Sequence, residues 1–189
     1  MSRTRGESDI YRKELDSAEV PGLPRVEETE KLAEKLALIE AERDINHLVH
    51  DYAVLCDRAY DPDGLTALFT EDATWSSRSK DGSIDFGLHR GRRAIHDFFA
   101  TISGDLGPMT LHYLLTPRID IAQDCQSASG HWYLLAILDR RPAGAPPDSN
   151  ERERIMLGGT YAHDYRKVGS RWLISRLACD ITLQAPFPS

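Results

Sequence analysis

INHLVHDYAVLCDRAYDPDGLTALFTEDATW, residues 45–75, decides the fold. Ile45, Leu48, Val49, Tyr52, Leu55 and Cys56 follow one another at i, i+3, i+4, i+7, i+10 and i+11, the apolar stripe of a helix that packs on something. DPDG (61–64) ends that helix as a turn, and LTALFTEDATW (65–75) predicts a short helix leading into a strand at Ala73–Ser76. A stripe of this kind does not itself explain why a tyrosine sits on it at 52 and an aspartate closes it at 57.

Working outward, the helical pattern starts near Val26 and runs through Leu32, Leu36 and Ile39 to about Tyr60, its first half (26–40) a charged surface extension. Residues 1–25 are polar and end in VPGLP (20–24), whose prolines and glycine break regular structure, so they predict a loosely ordered arm. Downstream, SKDGS (79–83) is a hairpin turn, and GRRAIHDFFATI (91–102) is a second amphipathic helix with Ile95, Phe98, Phe99 and Ile102 on one face. After the breaker GDLGP (104–108) the character changes to strands at 109–115, 118–124, 129–140, 154–167 and 171–184. The loop 140–153 is a mobile connection and a candidate lid, GG at 158–159 is a bulge rather than a ligand clamp, and 185–189 is a tail.

Helices first and strands after is the α+β pattern, a curved antiparallel sheet with helices on one side, within a single domain over 26–184. Several strands are apolar on both faces, so the second face must be covered by another subunit or by closure over an apolar cavity. The 189 residues suffice for one core with room for a small ligand. A net charge of −7, with HRGRR (89–93) as the one compact basic run, excludes nucleic acid as a general partner. YLLAIL (133–138) is far too short for a membrane span, the start carries no apolar leader, and three cysteines in no metal-type pairing suit a reducing compartment, so a cytoplasmic protein is expected.

There is no nucleophile elbow, phosphate-cradling loop, dinucleotide fingerprint or zinc-type histidine pair around a glutamate. HLVH (47–50) lacks a carboxylate in register, so no metal and no cofactor is expected. What remains is acid–base chemistry. His112, in the strand MTLHYLL (109–115), is a flanked imidazole able to act near neutral pH; taken alone it reads first as a core histidine held by one hydrogen bond. Asp57, at 100° per residue, falls on the flank of the helical stripe, where a pocket-lining acid and a partner for Arg58 are both open.

The order and spacing of 45–75, G…GRRAI…F (87–99), LHYLLTPRIDI (111–121) and YAHDYRKVGSRWLISR (161–176) resemble the SnoaL-like branch of the nuclear transport factor two-like superfamily, over about Ala41 to Ile181. Its dehydratase and dehydrochlorinase members are the most similar. The resemblance implies a cone-shaped α+β barrel, with a curved mixed or antiparallel sheet and helices enclosing an apolar pocket. It implies Asp57 and His112 as an acid–base dyad, Tyr52 as a polarising hydroxyl, and Trp75, Tyr113 and, on the last strand, Leu177 or Arg176 as substrate-binding residues. The family's last strand commonly carries an arginine five residues after its tryptophan. Here that position is Leu177, with Arg176 one residue away on the opposite face of a regular strand.

The implied activity is a cofactor-independent dehydratase-type lyase or isomerase acting on a small, largely apolar cyclic or polyketide-like substrate. A cyclase or epoxide hydrolase on the same residues is the neighbouring alternative. A non-catalytic ligand-binding or small structural subunit of a ring-hydroxylating oxygenase is the other. A homodimer or homotrimer is expected, because the outer sheet face needs cover.

Overall fold

The stripe beginning at Ile45 lies on a long helix, α1 (Val26–Asp57), and it is the part of α1 that buries side chains: Ala41, Ile45, Leu48, Val49, Tyr52 and Cys56. The computed structural model describes residues 26–142, 144–146 and 148–187; the expected arm at 1–25 lies outside them. The chain divides into two units, Met1–Leu36 and Ala37–Ser189. In the first, the described residues are the exposed opening turns of α1, with Val26, Leu32 and Leu36 open to solvent.

The second unit carries everything else. After α1 come α2 (Pro62–Thr66), β1 (Phe69–Ser79), β2 (Asp85–Arg90), α3 (Arg92–Ser103), β3 (Leu111–Ile121), β4 (Ser127–Arg140), β5 (Glu153–Val168) and β6 (Arg171–Pro186). The six strands form one curved, unclosed sheet in the order β2-β1-β6-β5-β4-β3, all neighbours antiparallel except the parallel pair β1 and β6. It is therefore a mixed sheet with two free edges, not a closed barrel. The predicted α3 appears almost residue for residue, with Ile95 and Phe99 fully buried.

Three irregularities shape the sheet. The segments 109–115 and 118–124, expected as separate strands, are one strand: Thr116 takes a left-handed φ of 44°, Pro117 has no N–H to give, and pairing with β4 resumes at Arg118. In β5 the register against β6 slips at Gly158/Gly159, as the glycine pair predicts; a Cβ on Gly159 would meet the Asp180 carbonyl oxygen at 2.2 Å. A second slip at Asp164/Tyr165 has a counterpart across β6, where Trp172 and Ile174 face inward but so do Leu177, Cys179 and Ile181.

The inward face holds Phe69, Ala73, Trp75, Trp132, Leu134, Tyr161, Tyr165 and Ile174 against α1 and α3. The outer face keeps Leu111, Tyr113, Leu115 and Tyr133 exposed. This is why β3 and β4 read as apolar on both sides. Among the described residues no helix is long and apolar enough to cross a membrane.

Candidate active site

The end of α1 is unusual and it builds the site. Ala59 and Tyr60 both adopt left-handed backbone (φ 58° and 56°), a conformation that costs an L-residue on the order of 1 kcal/mol each. The chain then restarts at once: Asp61 caps α2 by accepting the Gly64 N–H at 3.2 Å, and Pro62 opens the helix. The reversal holds Asp57 and Tyr60 on either side of His112, the second residue of β3.

His112 Nδ1 lies 2.9 Å from Asp57 Oδ1, and its Nε2 lies 2.8 Å from the Tyr60 hydroxyl. The imidazole side chain is 2% exposed while the carboxylate is 28% exposed. An ionised carboxylate only accepts, so Nδ1 carries the proton. In the neutral ring Nε2 is then the lone-pair nitrogen, and the Tyr60 O–H donates to it. The rings of Tyr60 and His112 meet edge to face at 5.4 Å. Burial pushes the Tyr60 hydroxyl well above its usual pKa, so it is a donor throughout the neutral range.

His112 and Tyr60 stand on the wall of a small cavity of about 50 Å³, together with Trp75, Phe98, Tyr161 and Cys179. That space takes a few waters and no ring. Trp75 stacks obliquely on Phe98 at 4.6 Å, and Phe98 in turn lies flat on His89 at 4.2 Å. The Cys179 thiol is pushed up to about 11 by burial, with hydrogen bonds to Ser77 and Tyr161 pulling the other way, so it stays protonated.

The residues singled out from sequence fall in different places. Asp57 and His112 come together, and Trp75 lines the cavity. Tyr52 is 1% exposed but does not reach the wall: its hydroxyl accepts from Trp75 Nε1 at 3.2 Å and is hydrogen-bonded to the Cys56 thiol, so the indole stands between it and the cavity. Tyr113 points away from His112 across β3 and is exposed. Leu177 is buried beside Trp75, whereas Arg176 faces outward to Asp164 at 3.4 Å. A regular alternation from Trp172 would have turned position 176 inward; the irregularity in β6 turns 177 inward instead, and β6 offers no cation there.

Sequence reading missed Tyr60, Tyr161, Ser77 and Cys179. Period-two steps from Trp75 and Leu177 reach Ser77 and Cys179, and a step of two back from His163 reaches Tyr161. His163 is itself buried; its Nδ1 is hydrogen-bonded to the Tyr165 hydroxyl at 2.8 Å, that hydroxyl accepts from Trp132 Nε1 at 3.1 Å, and burial lowers the His163 pKa to about 3. It is a neutral core imidazole. His47 and His50 are exposed, and no group of three or more metal-ligating side chains is found among the described residues.

Solved structures share this fold. One is a hexachlorocyclohexane dehydrochlorinase (LinA type 2), at 17% identity, 82% of this chain and 94% of that one, with a TM-score of 0.66. A candidate scytalone dehydratase from Novosphingobium aromaticivorans matches at 22% identity over 82% and 93%, TM-score 0.64. A nuclear transport factor two-like superfamily protein from Salmonella enterica matches at 16% identity over 77% and 94%, TM-score 0.59. No curated protein matches the chain. Residues 37–178 match the SnoaL-like domain family, and the chain belongs to that family.

Proposed function

We propose that the protein is a cofactor-independent lyase or isomerase that removes a proton from carbon in a small, largely apolar cyclic or polyketide-like substrate. The observation that carries this is the buried imidazole of His112 on the cavity wall, held through Nδ1 by Asp57 so that Nε2 is the basic nitrogen. The fold neighbours that are dehydratases or dehydrochlorinases by name support the same class.

In an elimination, Nε2 of His112 takes the substrate proton, the C–H electron pair becomes the new double bond, and the leaving group departs from the adjacent carbon. The proton on Nε2 then passes to that group. The Asp57 carboxylate stabilises the imidazolium as it forms, and the low dielectric of the cavity strengthens that attraction. Tyr161, on the cavity wall, supplies a hydroxyl for a substrate oxygen. Cyclisation or epoxide opening would use the same groups.

The test uses 5-nitrobenzisoxazole, a small neutral ring that opens to a coloured phenolate when a base removes its ring C–H proton. Wild type accelerates the opening and His112→Ala returns it to the buffer rate. A non-catalytic binding or assembly role is the second reading; it is favoured by the small cavity and by Tyr60 already occupying Nε2. Inactivity together with stoichiometric co-elution with a larger subunit decides for it. The exposed row Leu111, Tyr113, Leu115 and Tyr133 gives a second copy of the chain a surface to cover, and the free Cys56, Cys125 and Cys179 suit the cytoplasm.

A further inference from the structure

A cavity of about 50 Å³ cannot hold the kind of substrate its chemistry calls for. Beside it lies a cleft of about 480 Å³, well within the usual size of ligand sites. The two share four side chains, Tyr60, Phe86, Ile102 and Leu138. Of these, Tyr60 alone also bonds the base, through the 2.8 Å contact to His112 Nε2. It stands on a strained left-handed turn rather than inside a helix or strand.

We propose that the outer cleft binds the body of the substrate and that Tyr60 is the specificity-determining residue between it and His112. In the resting state Tyr60 is latched onto Nε2; a substrate group reaches the base when that ring swings aside. This rests on the reading of Asp57 and His112 as the reacting pair.

The cleft also limits what enters. Its floor is apolar, with Phe86, Ile102, Leu106 and Leu138. Its rim carries two guanidinium groups, both matched: Arg141 Nη1 to Asp105 at 2.7 Å, and Arg140 Nε to Glu153 at 2.8 Å. A charge-compensated rim above an apolar floor suits a neutral, ring-bearing molecule and gives a free anion little advantage.

Two substrate-independent measurements on the full chain test this. The first is carbethoxylation of His112 by diethyl pyrocarbonate, followed peptide by peptide. The rate is slow in wild type, rises about fivefold in Tyr60→Phe as the latch hydrogen bond goes, and rises at least tenfold in Tyr60→Gly. Glycine also relieves the positive φ, and circular dichroism confirms that each variant is folded. Equal rates in wild type and either folded variant overturn the gate. The second is fluorescence titration with neutral 2-naphthol and anionic 2-naphthoate. Binding of 2-naphthol that exceeds that of 2-naphthoate and weakens at least tenfold in Leu106→Trp supports the cleft; binding unchanged by that substitution, or favouring the anion, overturns it. Neither readout needs turnover, so a gate that holds in a protein without elimination activity defeats the proposed reaction and leaves the gate standing.

Discussion

Replacing Asp57 with asparagine removes one charge and little else. The carboxylate oxygen is 2.9 Å from His112 Nδ1, and the imidazole is 2% exposed. When His112 takes a proton, the two charge centres sit roughly 4 Å apart, and at an effective dielectric of about 20 their attraction is about 4 kcal/mol. Losing it slows proton abstraction roughly 10³-fold, inside the range expected for general acid–base catalysis. The amide oxygen of asparagine can still accept the Nδ1 proton, so folding stability changes by no more than about 1 kcal/mol. The assay is opening of 5-nitrobenzisoxazole at saturating and subsaturating concentration, with urea unfolding of the same preparation. A folded Asp57→Asn protein that keeps more than a tenth of the wild-type rate, while His112→Ala loses all of it, refutes the electrostatic role of Asp57. Full activity in His112→Ala refutes the site.

Three further outcomes are expected. Arg176→Ala leaves 5-nitrobenzisoxazole turnover unchanged and stability within about 1 kcal/mol, because its ion pair to Asp164 is exposed; a tenfold loss of turnover puts the missing family arginine at 176 after all. Stability depends on pH in a set direction. The folded pKa of His163, about 3 against an ordinary 6.5, means the unfolded chain binds the extra proton, so its contribution is complete above pH 6.5 and drains as the pH falls, by about 2 kcal/mol at pH 5. Cys179, at about 11 against 9.0, works the other way and loses its contribution as the pH rises beyond 9; urea unfolding is therefore most resistant between about pH 6.5 and 9, and a stability that keeps increasing as the pH falls below 6.5 contradicts the buried neutral His163. Finally, sedimentation equilibrium finds a dimer or trimer that Tyr133→Lys with Leu115→Lys dissociates; a wild-type monomer leaves the outer face without a partner copy.

The fold was legible where the signal is local. The Ile45–Cys56 stripe and the Ile95–Phe99 face repeat at helical period, and the strand runs between 111 and 186 are bounded by turns, so their order followed from pattern, except that Thr116 and Pro117 were read as a break between two strands where one continues. The site was half legible. Asp57 and His112 stood out because the motifs around them resemble a family, whereas the local pattern alone read His112 first as a core histidine and left Asp57 open between a pocket acid and a partner for Arg58. Tyr60 was hidden because no propensity places alanine and tyrosine consecutively in left-handed backbone. Tyr52 was singled out by the resemblance, and the direction of its hydroxyl is decided by tertiary contacts with Trp75 and Cys56 that no motif carries. At 176 and 177 the outcome turned on a single irregularity in β6, since a one-residue slip exchanges the two faces of a strand.

The central claim is that Asp57 fixes His112 with an unprotonated Nε2 as the basic atom, and ¹⁵N NMR of the His112 ring tests it without any substrate. In the neutral ring Nδ1 should resonate as the protonated nitrogen and Nε2 as the unprotonated one, coupled through the Tyr60 hydroxyl. A spectrum with the proton on Nε2 and Nδ1 bare contradicts the account.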